Sequence, residues 1–409
     1  MAEQRIRCIH VITRLILGGA QENTLFTVEG LDRLPRYRTS LVTGPALGPE
    51  GELVERARAH NVDLVILPSL VRNVSPWNDL AAYRDLLRLF RAERPDIVHT
   101  HSSKAGILAR LAARRARVPV IIHTVHGPAF YAGQGWFANT LYRRLERNAA
   151  HCTSRIISVA DAMTDQYVAA GVAPREKFIT IYSGMEVEPF LRDDGARERV
   201  RRELDLPSDA LVIGKVARLF HLKGHEDLLR AFAQLSGRFP KAWLLFIGDG
   251  ILRDPLKELA QQLGVGERLR FAGLVRPERV PDMIKAMDLL VHASLREGLA
   301  RVLPQALLSG CPVVSYDVDG AREVIRNGET GFLVPARSVE GLHQAMEQAL
   351  SDLPRARSMA LRGRALFTEQ FRAETMVRRI AEVYEEELRR CSPRSHGDTE
   401  KGISPLRQL

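Results

Sequence analysis

One pattern constrains this chain more than any other: short apolar runs alternate with amphipathic helical segments, and near residue 190 the alternation stops and starts again. The runs of the first half are RIRCIHVI, TSLVTG, VDLVILP, DIVHTH, PVIIHTVHG, RIISVA and KFITIY, separated by stretches such as LAAYRDLLRLFRAERP and SKAGILARLAARRARVP. Strands separated by helices cannot be hairpins; they read as a parallel sheet covered on both faces, and the right-handed crossover rule makes that sheet doubly wound. After the polar stretch EPFLRDDGARERVRRELDLPSD the runs resume with LVIGKVARL, AWLLFIGDG, RLRFAGLV, DLLVHAS, CPVVSYD and GFLVPA. A chain of 409 residues is too long for one ordinary core, so the restart reads as a second α/β domain of similar size. The expected division is residues 1–188 and 189–370, with helices from 338 to 390 and a polar, disordered tail over 391–409.

Composition narrows the class. The chain is 45% hydrophobic and 26% charged, the balance of a water-soluble globular protein. No run approaches the roughly 20 apolar residues needed to span a bilayer, and MAEQRIRCIHVI lacks the features of a signal peptide. Cys8, Cys152, Cys311 and Cys391 are far apart, so they read as thiols of a reducing compartment, and the cytoplasm is the expected location. The net charge of +10 is spread along the chain. Nucleic-acid binding needs a denser basic stripe with interleaved aromatics, so the surplus points to an anionic ligand or an anionic membrane face.

In an open parallel sheet, ligands bind beyond the carboxyl ends of the strands. Gly18 and Gly19 sit between the first strand and the first helix, where glycine lets the backbone approach a ligand and helix N–H groups can meet an anion, although a tight turn explains the pair equally well. Arg218 and Lys223, in VARLFHLKGHEDLL, bring a planar fork and a point charge to the next domain's first strand end, a pairing suited to diphosphate oxygens. Gly248, in IGDG, and Leu274, after RLRFAG, close two further strand ends. His126 follows PVIIHTV, where a neutral imidazole can hydrogen-bond a hydroxyl. The cluster His99, His101, His123 and His126 raises a metal site. Strand alternation argues against it, because neighbouring residues face opposite ways and no carboxylate or cysteine completes a ligand set; His99 and His123 read as packing residues. Glu297 precedes a helix expected to start near residue 300, and Gln305 lies within it. The amides of Leu299 to Val302 can meet a phosphate, yet an acid there is also explained by the helix dipole alone, worth about 0.3–1 kcal/mol.

The stretches VARLFHLKGHEDLLRAF, WLLFIGDG, LRFAGLV and LREGLARVLPQALLSGCPVVSYDVDGAREVIRNGETGFLVP resemble the retaining glycosyltransferases of family 4. So do LGGAQ, VHTHSSKAGILARLAA, IIHTVHG, LERNAAHCTSRIISVA and YSGMEVEPF in the first half, so the resemblance runs from Ile6 to about Tyr384. It implies the GT-B fold: two Rossmann-like doubly wound domains facing a central cleft, with residues 371–390 crossing back onto the N-terminal domain. The resemblance also implies that Arg218 and Lys223 hold the nucleotide diphosphate and that Glu297 contacts the donor sugar. It places Gly298, Leu299, Ala300, Arg301 and Val302 over the phosphates, Gly18 and Gly19 in the loop that closes from the N-terminal domain, and His126 near the sugar. Gln305 departs from the family pattern, whose second acid binds the ribose. An amide also accepts that hydrogen bond, more weakly by roughly 1 kcal/mol.

The expected reaction is transfer of a hexose from a nucleoside diphosphate sugar, UDP-linked by family habit, to a glycan or lipid-linked acceptor in cell-envelope or exopolysaccharide synthesis. The expected course is retention, without cofactor or metal, because Asp317-Val318-Asp319 stands in a loop rather than at a strand end. Two alternatives stay open: a GT-B sugar-nucleotide epimerase, and a nucleotide-sugar binder without turnover. SKAGILARLAARRARVP and WFANTLYRRLER set arginines beside apolar residues and could touch an anionic membrane, although sheet-covering helices with solvated arginines account for both.

Overall fold

The computed structural model describes residues 5–46, 52–130 and 134–391. The expected tail beyond Cys391 lies outside them. Among the described residues thirteen strands form two sheets, parallel throughout, and the segments between them are mostly helical.

The first sheet comprises β1 (Ile6–Arg14), β2 (Tyr37–Gly44), β3 (Asp63–Ile66), β4 (Ile97–His101), β5 (Val120–Val125), β6 (Arg155–Ser158) and β7 (Phe178–Thr180), in the order β3-β2-β1-β4-β5-β6-β7. The order reverses between β1 and β4, so their carboxyl ends open a crevice. The second sheet comprises β8 (Leu211–Val216), β9 (Ala242–Ile247), β10 (Leu269–Gly273), β11 (Leu289–His292), β12 (Val313–Tyr316) and β13 (Phe332–Val334), in the order β10-β9-β8-β11-β12-β13. Its switch point falls between β8 and β11. Both sheets are buried on both faces, which is why their strands read as nearly continuous Val, Ile and Leu rather than as alternating patterns.

The last helix, Ala373–Cys391, lies against the first sheet. Met376, Val377, Ile380, Val383 and Tyr384 share a core with Cys8, Tyr37, Ile97, Val120 and Ile122. The helix is nineteen residues long and strongly amphipathic, so one stripe suffices to bury those five side chains. Arg155 of β6 adds a hydrogen bond to Glu387 at 3.0 Å.

The two halves meet along their strand ends. Glu323 of the second half accepts hydrogen bonds from the N–H groups of Asp161 and Ala162, at 2.9 Å each, and from the Tyr182 hydroxyl at 2.9 Å. It thereby caps the Asp161–Ala169 helix of the first half from across the interface. The backbone of Gly298 sits so close to His126 that a Cβ there would lie 2.1 Å from the His126 carbonyl oxygen. Only glycine permits that approach.

Candidate functional site

Between the two crevices lies a cavity of about 470 Å³. From the first half it is lined by Gly18, Gly19 and His126, and from the second by Arg218, Lys223 and Glu297 through Val302. All eleven of these residues are ones the sequence singles out; the fold brings them to one wall or the other because every parallel strand delivers its carboxyl end to the same edge.

Gly19 opens a fourteen-residue helix, and a Cβ on it would lie 3.1 Å from the Arg301 side chain of the opposite domain. Arg218 is exposed on the cleft wall and rests over the Phe220 ring at 5.3 Å, and among the described residues no carboxylate pairs with it. Lys223 is partly buried, and its Nζ stands 2.6 Å from Glu297 Oε1. The Glu297 loop is held by Asp319, whose carboxylate accepts from the Glu297 N–H at 2.6 Å and from Gln166 Nε2 of the first half at 2.7 Å. Asp319 does this with φ of +48°, a left-handed conformation uncommon outside glycine and tolerated best by Asp and Asn. Asp317 pairs with Arg322 through both carboxylate oxygens. This Asp-x-Asp is thus occupied in fixing loops.

Arg301 crosses the cleft. Its guanidinium donates to Glu22 of the first helix at 2.6 Å and to the Gly184 carbonyl at 3.4 Å. Three sequence-selected residues fall outside the main cavity. Gln305 lines a neighbouring cavity of about 300 Å³ with Pro277, Glu278 and Glu22, and Arg301 forms the partition between the two. Leu274 is exposed beyond β10. Gly248 has φ of +129°, and a Cβ there would lie 2.2 Å from the Ala217 carbonyl oxygen, so it lets the ends of β8 and β9 close together.

Sequence reasoning missed Arg14, Arg72, Ser183 and His292, all of which line the cavity. Arg14 was within reach, since it ends β1 and strand ends were the places to look. Beneath the Lys223–Glu297 pair lies another unforeseen group. Lys215, on β8, is fully buried with its Nζ unpartnered, and both ring nitrogens of His225 and His292 are likewise unpartnered among the described residues. Burial and the nearby Lys223 bring the Lys215 ammonium down to about 7, and burial holds His225 down at about 2.

The histidines also need correction. His99 and His101 are two apart on β4, hence on one face, and they gather with His10 of β1 and with His126. Ring nitrogens of His10, His99 and His101 lie within 4.8 Å of one another, so strand alternation does not disperse the cluster. Burial keeps these imidazoles neutral: His10 and His126 are lowered to about 3, and His99 and His101 fall well below the usual value. Arg110 is not a solvated arginine either. It is fully buried and donates to Glu146 at 2.6 Å, tying together the two helices suspected of membrane contact.

Two facing doubly wound domains with a cationic cleft between them have the GT-B architecture of glycosyltransferases. Residues 18–184 match the family described as Glycosyl transferase 4-like domain, and residues 196–366 match Glycosyl transferases group 1. The chain belongs to the group 1 glycosyltransferases. It is 28% identical over 351 residues to the Escherichia coli UDP-Gal:alpha-D-GlcNAc-diphosphoundecaprenol alpha-1,3-galactosyltransferase, covering 85% of this chain and 89% of that one. It is 27% identical over 389 residues to the D-inositol 3-phosphate glycosyltransferase of Streptomyces avermitilis, covering 90% and 83%. Among solved structures, Anabaena HepE in complex with UDP and glucose superposes with a TM-score of 0.79 at 21% identity, covering 93% of this chain and 100% of that one.

Proposed function

We propose that the chain transfers a hexose from UDP-hexose, with retention and without a metal, to a lipid-linked glycan at the cytoplasmic face of a membrane. The observation that carries this reading is the cleft itself: Arg218 and the Lys223–Glu297 pair on one wall, facing His126 and Gly18-Gly19 on the other. The donor's diphosphate would displace Glu297 from Lys223 and bridge Lys223 and Arg218. Glu297 would then accept from the sugar hydroxyls, and His126 would meet the sugar from the opposite side. As the bond between the anomeric carbon and the phosphate oxygen breaks, negative charge grows on that phosphate. Two preorganised cations and the Gly298–Val302 amides stabilise it, a role a metal would otherwise fill. The acceptor hydroxyl attacks from the face the phosphate leaves, its proton passes to the departing phosphate oxygen, and configuration is kept. With both acids of Asp317-Val318-Asp319 held by Arg322, Gln166 and the Glu297 amide, no carboxylate pair in that loop is left to hold a divalent ion against the diphosphate.

A second cavity, of about 710 Å³, supports the acceptor assignment. It lies between the halves and is lined by Arg143, Arg296 and Arg337 beside Phe130 and Leu222. Arg143 belongs to the Trp136–His151 helix, whose first turns leave Trp136 81% and Phe137 74% exposed. Paired aromatics beside Arg143, Arg144 and Arg147 suit the interface of an anionic bilayer. Among the described residues no helix is long and apolar enough to cross a membrane, so contact would be peripheral. The activity of the Escherichia coli relative, galactosyl transfer to a diphosphate-linked lipid, supports the same acceptor class. Assay of UDP release from UDP-hexoses in the presence of EDTA tests the reading. Sustained turnover is expected, and abolition by the chelator would remove the metal-free mechanism.

A further inference from the structure

His126 is the cleft-facing end of a buried file of hydrogen-bonding side chains. Its Nε2 lies 3.1 Å from His101 Nδ1, and His101 Nε2 lies 3.1 Å from His10 Nδ1. His10 Nε2 is 3.3 Å from the Tyr384 hydroxyl, which is 2.5 Å from His99 Nδ1, and His99 Nε2 ends the file 2.7 Å from the Thr124 hydroxyl. His10, His99 and His101 are completely buried, and the file runs from the cleft through β1 and β4 to the returning helix. None of these three imidazoles has a ring nitrogen to spare.

A neutral imidazole has one N–H and one bare nitrogen, so each member that donates on one side must accept on the other. Tyr384 also meets the Cys8 thiol, but donating there would exchange an imidazole nitrogen for a weakly accepting sulfur, so with Tyr384 donating inside the file only two polarities remain. In one, every histidine carries its proton on Nε2, and Thr124 accepts from His99 while its own hydrogen finds no acceptor among the described residues. In the other, every histidine carries its proton on Nδ1: Thr124 donates to His99, His99 to Tyr384, Tyr384 to His10, His10 to His101, and His101 to His126. Only the second polarity uses every hydrogen within the file, and a buried donor left without an acceptor is destabilising. Nδ1 of His126 has no partner among the described residues, so this polarity turns an N–H donor toward the cleft.

We propose that the file from Thr124 through Tyr384 to His101 locks His126 in the Nδ1–H tautomer, making the last helix a positioning element for the donor sugar. The consequence for sugar binding rests on the cleft assignment above; the tautomer does not. The same three histidines could be imagined around a metal ion. That would require breaking the His10–His101 bond and burying two positive charges in a cluster that contains no carboxylate, and the near-parallel His10 and His101 rings do not converge on a centre.

Long-range proton–nitrogen correlation spectra of the full chain, labelled with ¹⁵N-histidine, read each tautomer directly. The wild type is expected to show Nδ1–H at His126, His101, His10 and His99, against the Nε2–H preference of free histidine. Tyr384→Phe removes the donor to His10 and should return His126, three hydrogen bonds away, to a mixture of tautomers, while His225 and His292 keep their signals. In a transfer assay it should lower kcat roughly tenfold with the donor KM unchanged. Thr124→Val removes one hydroxyl at the far end with little change of volume and should mix the same four tautomers, which keeps the test available if Tyr384→Phe folds poorly. The proposal is overturned if His126 is Nε2–H in the wild type, if neither variant changes it, or if metal analysis finds one ion per chain bound to the histidines. Mixed tautomers with unchanged kcat would leave the lock standing and remove His126 from the sugar site.

Discussion

Lys223 Nζ and Glu297 Oε1 stand 2.6 Å apart across the mouth of the second domain, one on the loop after β8 and the other on the loop after β11. Each neutralises the other. The pair explains how two opposite charges with different tasks can wait side by side in a partly buried site. On the proposed reading an arriving diphosphate would take Lys223 from its carboxylate partner and release Glu297 toward the sugar hydroxyls. Glu297→Gln should fold normally and reduce transfer by about 10²–10³-fold. Lys223→Ala, which leaves Glu297 without its partner, should also weaken UDP binding in calorimetry.

The Arg301–Glu22 ion pair joins the first helix to the loop carrying Glu297 through Val302. Both side chains are largely buried, and Arg301 also separates the main cavity from the one containing Gln305. Glu22→Gln should loosen closure. Small-angle scattering is expected to show a larger radius of gyration in the absence of UDP than for wild type, with the difference shrinking when UDP is added. Identical radii in both states would show that the pair has no part in closure.

Lys215 gives a pH signature of stability. Its ammonium falls from 10.5 to about 7 in the folded chain, so between those values the unfolded chain binds the extra proton and stability rises with pH. Below about 7 both states are charged and the burial penalty is complete. Lys215→Met should therefore raise Tm most at pH 6 and least near pH 10, a penalty of a few kcal/mol disappearing across that window. Equal gains at the two pH values would mean the ammonium is neutralised in some other way.

Gln305 faces the smaller cavity among Glu22, Glu186 and Glu278 as well as Arg56, Arg192 and Arg301. A carboxylate here would gain a stronger acceptor for a ribose hydroxyl and lose to three nearby acids. Gln305→Glu is expected to tighten UDP by less than tenfold in calorimetry, roughly 1 kcal/mol at most.

Trp136 and Phe137 are spread over solvent on a helix that also carries Arg143, Arg144 and Arg147. The double change Trp136→Ser and Phe137→Ser should abolish sedimentation with vesicles containing phosphatidylglycerol and leave UDP release from the donor intact. Unaltered sedimentation would place the membrane contact elsewhere or nowhere.

Much of this was legible in the sequence, for a physical reason. Parallel strands buried on both faces must be apolar runs, and connections between them must be long, so LVIGKVARL or AWLLFIGDG declares both its type and its surroundings. Strand ends converge on a single edge, so Arg218, Lys223 and Glu297 could be gathered before any coordinates. What was hidden depends on registers between distant segments. That His10 joins His99 and His101 follows from β1 pairing with β4, where His10 faces His99, and no local pattern encodes that pairing. His99 is the buried packing residue the sequence suggests, but alternation between neighbours does not disperse the cluster, because residues two apart, such as His99 and His101, share a face. Arg301 meeting Glu22, and Glu323 capping a helix of the other half, depend on how the two halves meet, which a one-dimensional periodicity cannot report. Gln305 was selected for its spacing from Glu297, yet the short Val302–Leu308 helix turns it away from the main cavity into the next one.

The central claim is that this cleft moves a hexose, with Glu297 essential to the movement. Mass spectrometry of products from UDP-hexoses and a diphosphate-linked lipid glycan tests it most directly. An acceptor heavier by one hexose is expected, with UDP released in equal amount, and loss of both in Glu297→Ala. Saturable donor binding without UDP release, or a product unaffected by Glu297→Ala, would contradict it.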